Sequence, residues 1–192
     1  MAKASTKTQA TTVKRKRWYE LIAPRLFNEQ VLGETLSAEP EQVIGRAATI
    51  NLMNLTKDIK KQNINVTFRV QEVTGLKAHT DLIEYHIIPT SIKRLVRKGK
   101  EKVEDSFLAV TKDNRTVRVK PLIICRSNTV RSVSTDVKEA TRKMTEEILK
   151  QIDYYQFIKD IITQKFQRAL RQQVNKIYPV KIVDIRMIKL IK

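Results

Sequence analysis

Two histidines, one cysteine and four glycines are what this chain offers to the commonest catalytic and metal-binding chemistries. His79, His86 and Cys125 cannot make up a recognisable zinc site, which needs four donors of the cysteine or histidine kind. On an extended strand their spacing sends the two histidines to opposite faces. Gly33, Gly45, Gly75 and Gly99 are scattered, and a phosphate-cradling loop needs closely spaced glycines so that backbone N–H groups can approach the anion. The nearest carboxylate groupings are Asp81 with Glu84, and Glu101 with Glu104 and Asp105. They are expected to be exposed acids that balance neighbouring lysines and arginines. Cys125 falls on the apolar face of a predicted strand and reads as a small buried hydrophobe. As the sole cysteine it allows no intrachain disulfide, which suits a reducing compartment. The expectation is therefore no catalytic residue, no metal and no cofactor.

The chemistry that does stand out is cationic. The chain carries 38 Lys plus Arg against 20 Asp plus Glu, a formal net charge of +18, and its sequence pI is about 10.1. Like charges repel in a compact state, so such an excess points to a polyanionic partner whose phosphates release counterions as Lys and Arg approach. Nucleic acid ranks first and an anionic membrane surface second. The longest apolar runs are too short to span a bilayer. The first residues carry no apolar signal-peptide core, so a soluble intracellular protein is expected. Basic residues cluster at 14–17, 93–102 and 112–131, with more between 165 and 192. Candidate phosphate contacts are Lys14, Arg15, Lys16, Arg17, Arg25, Arg46, Lys93, Arg94, Arg97, Lys98, Lys100, Arg118, Lys120 and Arg126. Arginine serves where planar, two-pronged contact helps, and lysine where a point charge suffices. Aromatics make up 6% and form no strand-borne stacking platform, which favours structured RNA recognised through backbone and shape. Trp18, next to the Lys14–Arg17 run, is a candidate for stacking on a base. A large aromatic more commonly anchors a core, so burial is the expectation.

These side chains must be held by a fold. With 41% hydrophobic residues the chain can build a core, and its length suits one domain, residues 18–192, behind a flexible basic tail, residues 1–17. The segments 18–22, 43–55, 64–70 and 76–88 read as strands. The clearest is 64–70, where Ile64, Val66, Phe68 and Val70 alternate with polar residues. A short basic helix follows Pro89, with Gly99 placed to cap it. Residues 103–111 and 115–126 read as a hairpin around Asp113–Asn114, in which Pro121 suggests an edge position or a bulge. The period then becomes helical. Val137, Ala140, Met144, Ile148 and Ile152 mark one helix starting near Ser134–Thr135. Asp153 and Gln156 suggest a capping box for a second, with Gln156, Asp160, Gln164, Gln167 and Arg171 facing solvent. Residues 181–191 return to a strand. The expected class is α+β: a mostly antiparallel, curled or barrel-like sheet, a short basic helix and two C-terminal helices.

Several fragments, in this order, resemble one family, the eS-one (formerly S-three-a) proteins of archaeal and eukaryotic small ribosomal subunits. They are Lys16-Arg17-Trp18-Tyr19, Ala23-Pro24 with Phe27, Gly33-Glu34-Thr35-Leu36, and Ile44-Gly45-Arg46 leading to Leu52, Leu55 and Thr56. Leu95-Val96-Arg97, Arg118-Val119-Lys120, Ile177-Tyr178-Pro179 and Val183 with Ile185-Arg186 complete the series. Thr49 and Asn54 stand where the family is usually acidic. The chain ends soon after its last strand, which looks archaeal-like. The resemblance implies rRNA and neighbouring small-subunit proteins as partners. It also implies a place on the platform near the 3′ end of the small-subunit rRNA and the mRNA exit, and contact with mRNA there. A transient ribosome-assembly or mRNA-associated factor is the alternative, and an RNA-modifying enzyme ranks behind it.

Overall fold

A computed structural model describes residues 15–191, so Lys14 and the arm before it lie outside the described residues. The first strands are β1 (Arg17–Ile22), β2 (Val31–Ser37) and β3 (Ala47–Asn51), followed by the one-turn helix α1 (Leu52–Thr56). A long hairpin, β4 (Ile64–Thr74) and β5 (Lys77–Ile87), leads into α2 (Pro89–Leu95). Next come β6 (Lys102–Glu104), β7 (Phe107–Val110) and β8 (Thr116–Cys125). Three helices, α3 (Arg131–Gln151), α4 (Tyr154–Ile162) and α5 (Lys165–Ile177), precede the last strand, β9 (Val180–Leu190). The class is α+β, as expected. The nine strands form one sheet in the order β2-β1-β5-β9-β8-β6, with β4 and then β3 beyond the other edge of β5. All pairings are antiparallel except that of β1 with β5. The sheet is open: β2 and β6 end the path without pairing, so it does not close into a barrel.

The hairpin is the spine. Gly75 (φ 64) starts its two-residue connection, at a position where a left-handed backbone suits glycine best. Val66, Phe68 and Val70 of β4 are buried while Arg69 is exposed, as the two-residue strand period requires. Phe68 meets Phe27 edge-to-face at 5.6 Å. On the helical side Phe157 of α4 meets Phe166 of α5 in the same manner, at 5.2 Å and 83°. A smaller apolar cluster, Tyr19, Leu21, Val43, Val70 and Ala78, holds β1 to the hairpin.

One edge of β5 is split between two partners. Residues 77–79 pair with β1 and residues 84–86 with β9, which leaves 80–83 with no strand on that side. Side chains satisfy the gap. Thr80 Oγ1 donates to Ile22 C=O (2.7 Å), and Tyr154 Oη donates to Leu82 C=O (3.1 Å). Leu82 N–H donates to Asp81 Oδ1 (2.8 Å). Asp81 is buried and also accepts from Tyr155 Oη (2.5 Å), Gln71 Nε2 (2.8 Å) and Arg115 Nη1 (3.4 Å). The Arg115 guanidinium lies against the Tyr154 and Tyr155 rings, at 5.6 and 5.2 Å from their centroids. Burial first, then Asp81, pushes the Tyr154 hydroxyl well above the usual tyrosine range, so it remains a donor. Asp81 is thus a structural acceptor, not the exposed acid expected of it.

Other expectations are corrected as well. Trp18 is 59% exposed: Tyr19 and Leu21 take the inward positions of β1, so parity turns Trp18 outward, opposite Leu36 of β2. The 43–55 segment is not one strand, because Asn51 Oδ1 accepts from Met53 N–H and starts α1 there. Strand β2 was not expected at all. Thr49 bonds Thr67 across the β3–β4 pair (3.0 Å), and Asn54 is exposed on α1. Gly99 does not cap α2, which ends at Leu95 with Val96 N–H returning to Ile92 C=O. Pro121 sits at a bulge, not at an edge: β8 has β9 on one side and β6 with β7 on the other.

Helix α3 begins at Arg131, before Ser134, and Thr135 Oγ1 bonds back to Arg131 C=O instead of capping. Its deepest line is Val137, Thr141, Thr145 and Leu149. The two threonines are tolerated there because their hydroxyls donate to Val137 and Thr141 carbonyls (2.7 Å each). Asp153 makes no side-chain cap; Asp113 Oδ2 accepts from Tyr154 N–H instead (3.2 Å). The last predicted helix is two helices. Gln164 adopts φ 60 between α4 and α5, which resets the helical phase and brings Gln167 inside.

Two outcomes follow for unfolding in urea. Tyr155→Phe and Tyr154→Phe each lower stability by about 1–3 kcal/mol, since each leaves a buried acceptor of the split edge short of a donor. Gln164→Gly raises it by roughly 0.5–1 kcal/mol, because glycine adopts the left-handed backbone without a Cβ penalty.

Candidate nucleic-acid interface

The fold sorts the basic residues into three regions of different character. The first is the entry to β1. Arg15, Lys16, Arg17 and Trp18 are exposed in sequence, with Arg17 opposite Ser37 and Trp18 opposite Leu36. A flat, solvent-facing indole beside three cations can stack on a base or sugar face, the reading that burial would have excluded.

The second region lies across β8, β9 and β5. Arg118 pairs in register with Lys189, which pairs with Glu84. Charges of both signs alternate here. Lys189 meets Glu84 at 3.7 Å, Arg186 and Lys102 meet Glu104 at 3.1 and 2.9 Å, and Arg142 meets Asp105 at 2.9 Å. Lys120 is half-buried in a recess shared with Glu104, Asp105, Ser106, Pro121 and Arg186. These acids do pair with cations, as the sequence suggested, although their own side chains are half-buried.

The third region is the end of the molecule formed by α2, the loop after it, the start of β9 and the side of α5. Lys93, Arg94, Arg97 and Lys98 lie along α2 and just beyond it, and all four are exposed. Lys100 lies against Lys181, which holds its ammonium below the ordinary lysine range, with Arg97 adding to the effect. Arg126 is exposed and tied to this end by its backbone N–H, which donates to Pro179 C=O (3.2 Å). Lys181, Arg168 and Arg171 line one recess. Among the described residues, no ion pair joins any of these cations to a carboxylate. Cationic groups that no carboxylate pairs are what a phosphate backbone neutralises best.

Two candidates are more committed to the fold. Arg46 donates from Nε to Gln42 C=O (2.9 Å) and from Nη1 to Thr35 Oγ1 and Leu36 C=O (2.6 and 2.9 Å), so it ties β2 to the loop before β3. Arg25 is exposed and faces Glu29 at 3.6 Å, at the rim of a cleft of about 580 Å3 lined also by Tyr155 and Lys159.

Reading the sequence missed Arg168, Arg171, Lys181 and Arg186 as individual residues. Arg168 and Arg171 share a helix face by their three-residue spacing, a signal indistinguishable from an ordinary solvated stripe. Lys181 and Arg186 had no signal of their own. The β8–β9 register shifts between Ile124 and Cys125 and between Lys120 and Pro121, and the unpaired extra residues are Lys181 and Arg186. Each bulge aims one cation out of the ladder.

Among the described residues no three His, Cys, Asp or Glu side chains come together as a metal site. Cys125 is buried, and burial, with Glu101 nearby, pushes its thiol above the ordinary cysteine range, away from the reactive thiolate. No helix of the described residues is long and apolar enough to cross a membrane.

Comparison with known proteins identifies the family. The model of the ribosomal S3Ae family matches residues 4–192. A protein of Nanoarchaeum equitans named small ribosomal subunit protein eS1 is 35% identical over 90% of this chain and 87% of its own length. Proteins of the same name from Halorubrum lacusprofundi and Methanothermobacter thermautotrophicus are 32% and 30% identical, over 91% and 96% of this chain and 81% and 95% of theirs. Identity at that level across nearly the whole chain, with a single match of the family model from arm to last strand, makes this chain a member of the ribosomal S3Ae family.

Proposed function

We propose that this chain is a structural constituent of the small ribosomal subunit that binds and stabilises rRNA. The observation that carries the reading is the acid-poor basic end around Arg97, Lys100, Arg126 and Lys181, on a chain similar to proteins named small ribosomal subunit protein eS1. Its partners on this reading are small-subunit rRNA and neighbouring small-subunit proteins, within the cytoplasmic ribosome. The finer placement, on the platform by the 3′ end of the small-subunit rRNA and the mRNA exit with mRNA in reach, rests on the family resemblance. Phosphate neutralisation is the main physical task. Arg15, Lys16 and Arg17 with Trp18 supply an arm and a stacking face, and Lys93, Arg94, Arg97, Lys98, Lys100 and Arg126 supply a broad cationic surface. Arg25, Arg46, Arg118 and Lys120 are secondary contacts, because neighbouring acids or carbonyls already engage them or their surroundings. No cofactor and no turnover enter this reading.

Sedimentation of small subunits in high salt tests it. An integral constituent stays with the mature subunit, whereas a transient assembly or mRNA-associated factor elutes, and elution would overturn the proposal. Binding of the isolated chain to rRNA should fall steeply with salt. Replacing Arg97, Lys98 and Lys100 together by alanine should lower the slope of log K against log salt by about one for each phosphate left without its cation. A flat salt response of the unmodified chain would count against phosphate-dominated recognition.

A further inference from the structure

The split edge of β5 leaves an opening as well as a bonding problem. Strand β1 ends at Ile22, and a cleft of about 580 Å3 opens between the turn that follows it and α4, beside Thr80. Its volume lies within the range of small-ligand sites, roughly 300–1,000 Å3. Pro24, Leu26 and Tyr155, all half-buried, contribute the walls together with the buried Thr80. The side-chain polar atoms of those walls are already engaged: Thr80 Oγ1 donates to Ile22 C=O (2.7 Å) and Tyr155 Oη to Asp81 Oδ1 (2.5 Å). With its hydroxyl anchored and the Arg115 guanidinium 5.2 Å from its centroid, the Tyr155 ring is held in place before any ligand arrives. Arg25 and Lys159 are exposed at the mouth, and among the described residues no carboxylate lines the cleft. Lys159 makes no ion pair among the described residues. Arg25 has only the exposed Glu29 at 3.6 Å, a contact that contributes little in water.

Walls whose polar side-chain atoms are already bonded favour a flat apolar ring, and cations at the mouth favour an anion attached to it. A nucleotide swung out of an RNA helix carries both, a base with two apolar faces and a phosphate on either side of its sugar. An apolar side chain of a neighbouring protein would fill the walls but leave Arg25 and Lys159 without a counter-charge. On a chain of net charge +18 the nucleotide is the better match. We propose that the cleft between the Pro24–Leu26 turn and α4 binds one extruded RNA nucleotide. Its base lies against Tyr155, Pro24 and Leu26, and its flanking phosphates lie on Arg25 and Lys159. The bases of a fully paired helix are stacked and cannot enter, whereas a bulge or loop offers a base that is already unpaired. The assignment rests on the RNA-binding reading above. To phosphate neutralisation it adds a point at which the chain selects RNA by the shape of its fold.

The experiment measures binding of the full chain to an RNA duplex with one unpaired nucleotide, to the same duplex fully paired, and to the bulged duplex with an abasic site at the unpaired position. The abasic form keeps the backbone and its phosphates, so it isolates the base. The bulged RNA should bind roughly fivefold or more tightly than either of the others, the effect of stacking one base. The Arg25→Ala, Lys159→Ala double variant changes two exposed side chains, and it should lose most of that preference. An iodouridine at the unpaired position, irradiated in the complex, should crosslink to Tyr155. A crosslink that maps to Trp18 or elsewhere overturns the assignment even where the preference is seen. Equal binding of the three RNAs refutes the cleft, as does a preference that the double variant keeps whole; salt-dependent binding of all three then leaves the general RNA-binding reading standing. A free nucleoside monophosphate that binds as tightly as the bulged RNA makes this a free-nucleotide site and overturns the proposal. So does a crosslink from the cleft to a protein instead of rRNA in intact small subunits, which would make the occupant a side chain. If the chain binds none of the RNAs in a salt-dependent way, the broader reading has failed instead.

Discussion

The split edge of β5 is the constraint on which the rest of this structure depends. A strand edge inside a fold must give every backbone N–H and C=O a partner, because an unpaired buried group costs about as much as a missing hydrogen bond. Here β1 serves the beginning of the edge and β9 its end, and neither reaches residues 80–83. Asp81, Thr80 and the neighbouring tyrosines of α4 close the gap. The same contacts place α4 against the sheet and draw in Arg115 from the β7–β8 turn. A single buried carboxylate thereby couples the hairpin, the helical layer and the second half of the sheet.

That arrangement also decides where the charge goes. With β9 held between β5 and β8, its side chains must alternate between the helical core and solvent, and its two bulges interrupt the alternation at Lys181 and Arg186. Lys181 joins Lys100, Arg168 and Arg171 from distant parts of the chain, whereas Arg186 is drawn to Glu104. Two similar bulges thus end in different electrostatic surroundings, one short of acids and one compensated. On the proposed reading, the RNA-binding surface is not the set of all basic residues but the subset the fold leaves without acidic partners.

Much of the fold could be read directly where burial follows a simple period. The 64–70 alternation became β4, Pro89 and Tyr178–Pro179 ended elements where expected, and 181–191 became a strand. Misreadings arose where a tertiary contact overrode the local pattern. Trp18 was expected inside because of its size, but Tyr19 occupies the inward register of β1. Gln167 was expected outside because it fits a polar stripe, but the left-handed turn at Gln164 rotates α5 relative to α4. Thr141 and Thr145 look neutral in sequence and are buried because each hydroxyl bonds within its own helix. The basic clusters were visible as such, yet nothing local told Arg46, bound to three backbone and side-chain acceptors, from Arg97, which faces no acid.

By itself, the sequence determined the large excess of positive charge, the α+β class and, through its ordered fragments, the family. Those properties follow from net charge, from periods of two and of three to four residues, and from residue order, all of which exist before the chain folds. Tertiary structure alone decided which cations stand together with no ion pair to a carboxylate. That depends on strand register, two bulges and a helix break, which bring residues 97–100, 164–171 and 181–184 to one end of the molecule. Electrostatic attraction and hydrogen bonding act over a few ångströms, and such distances between remote residues arise only in the folded chain.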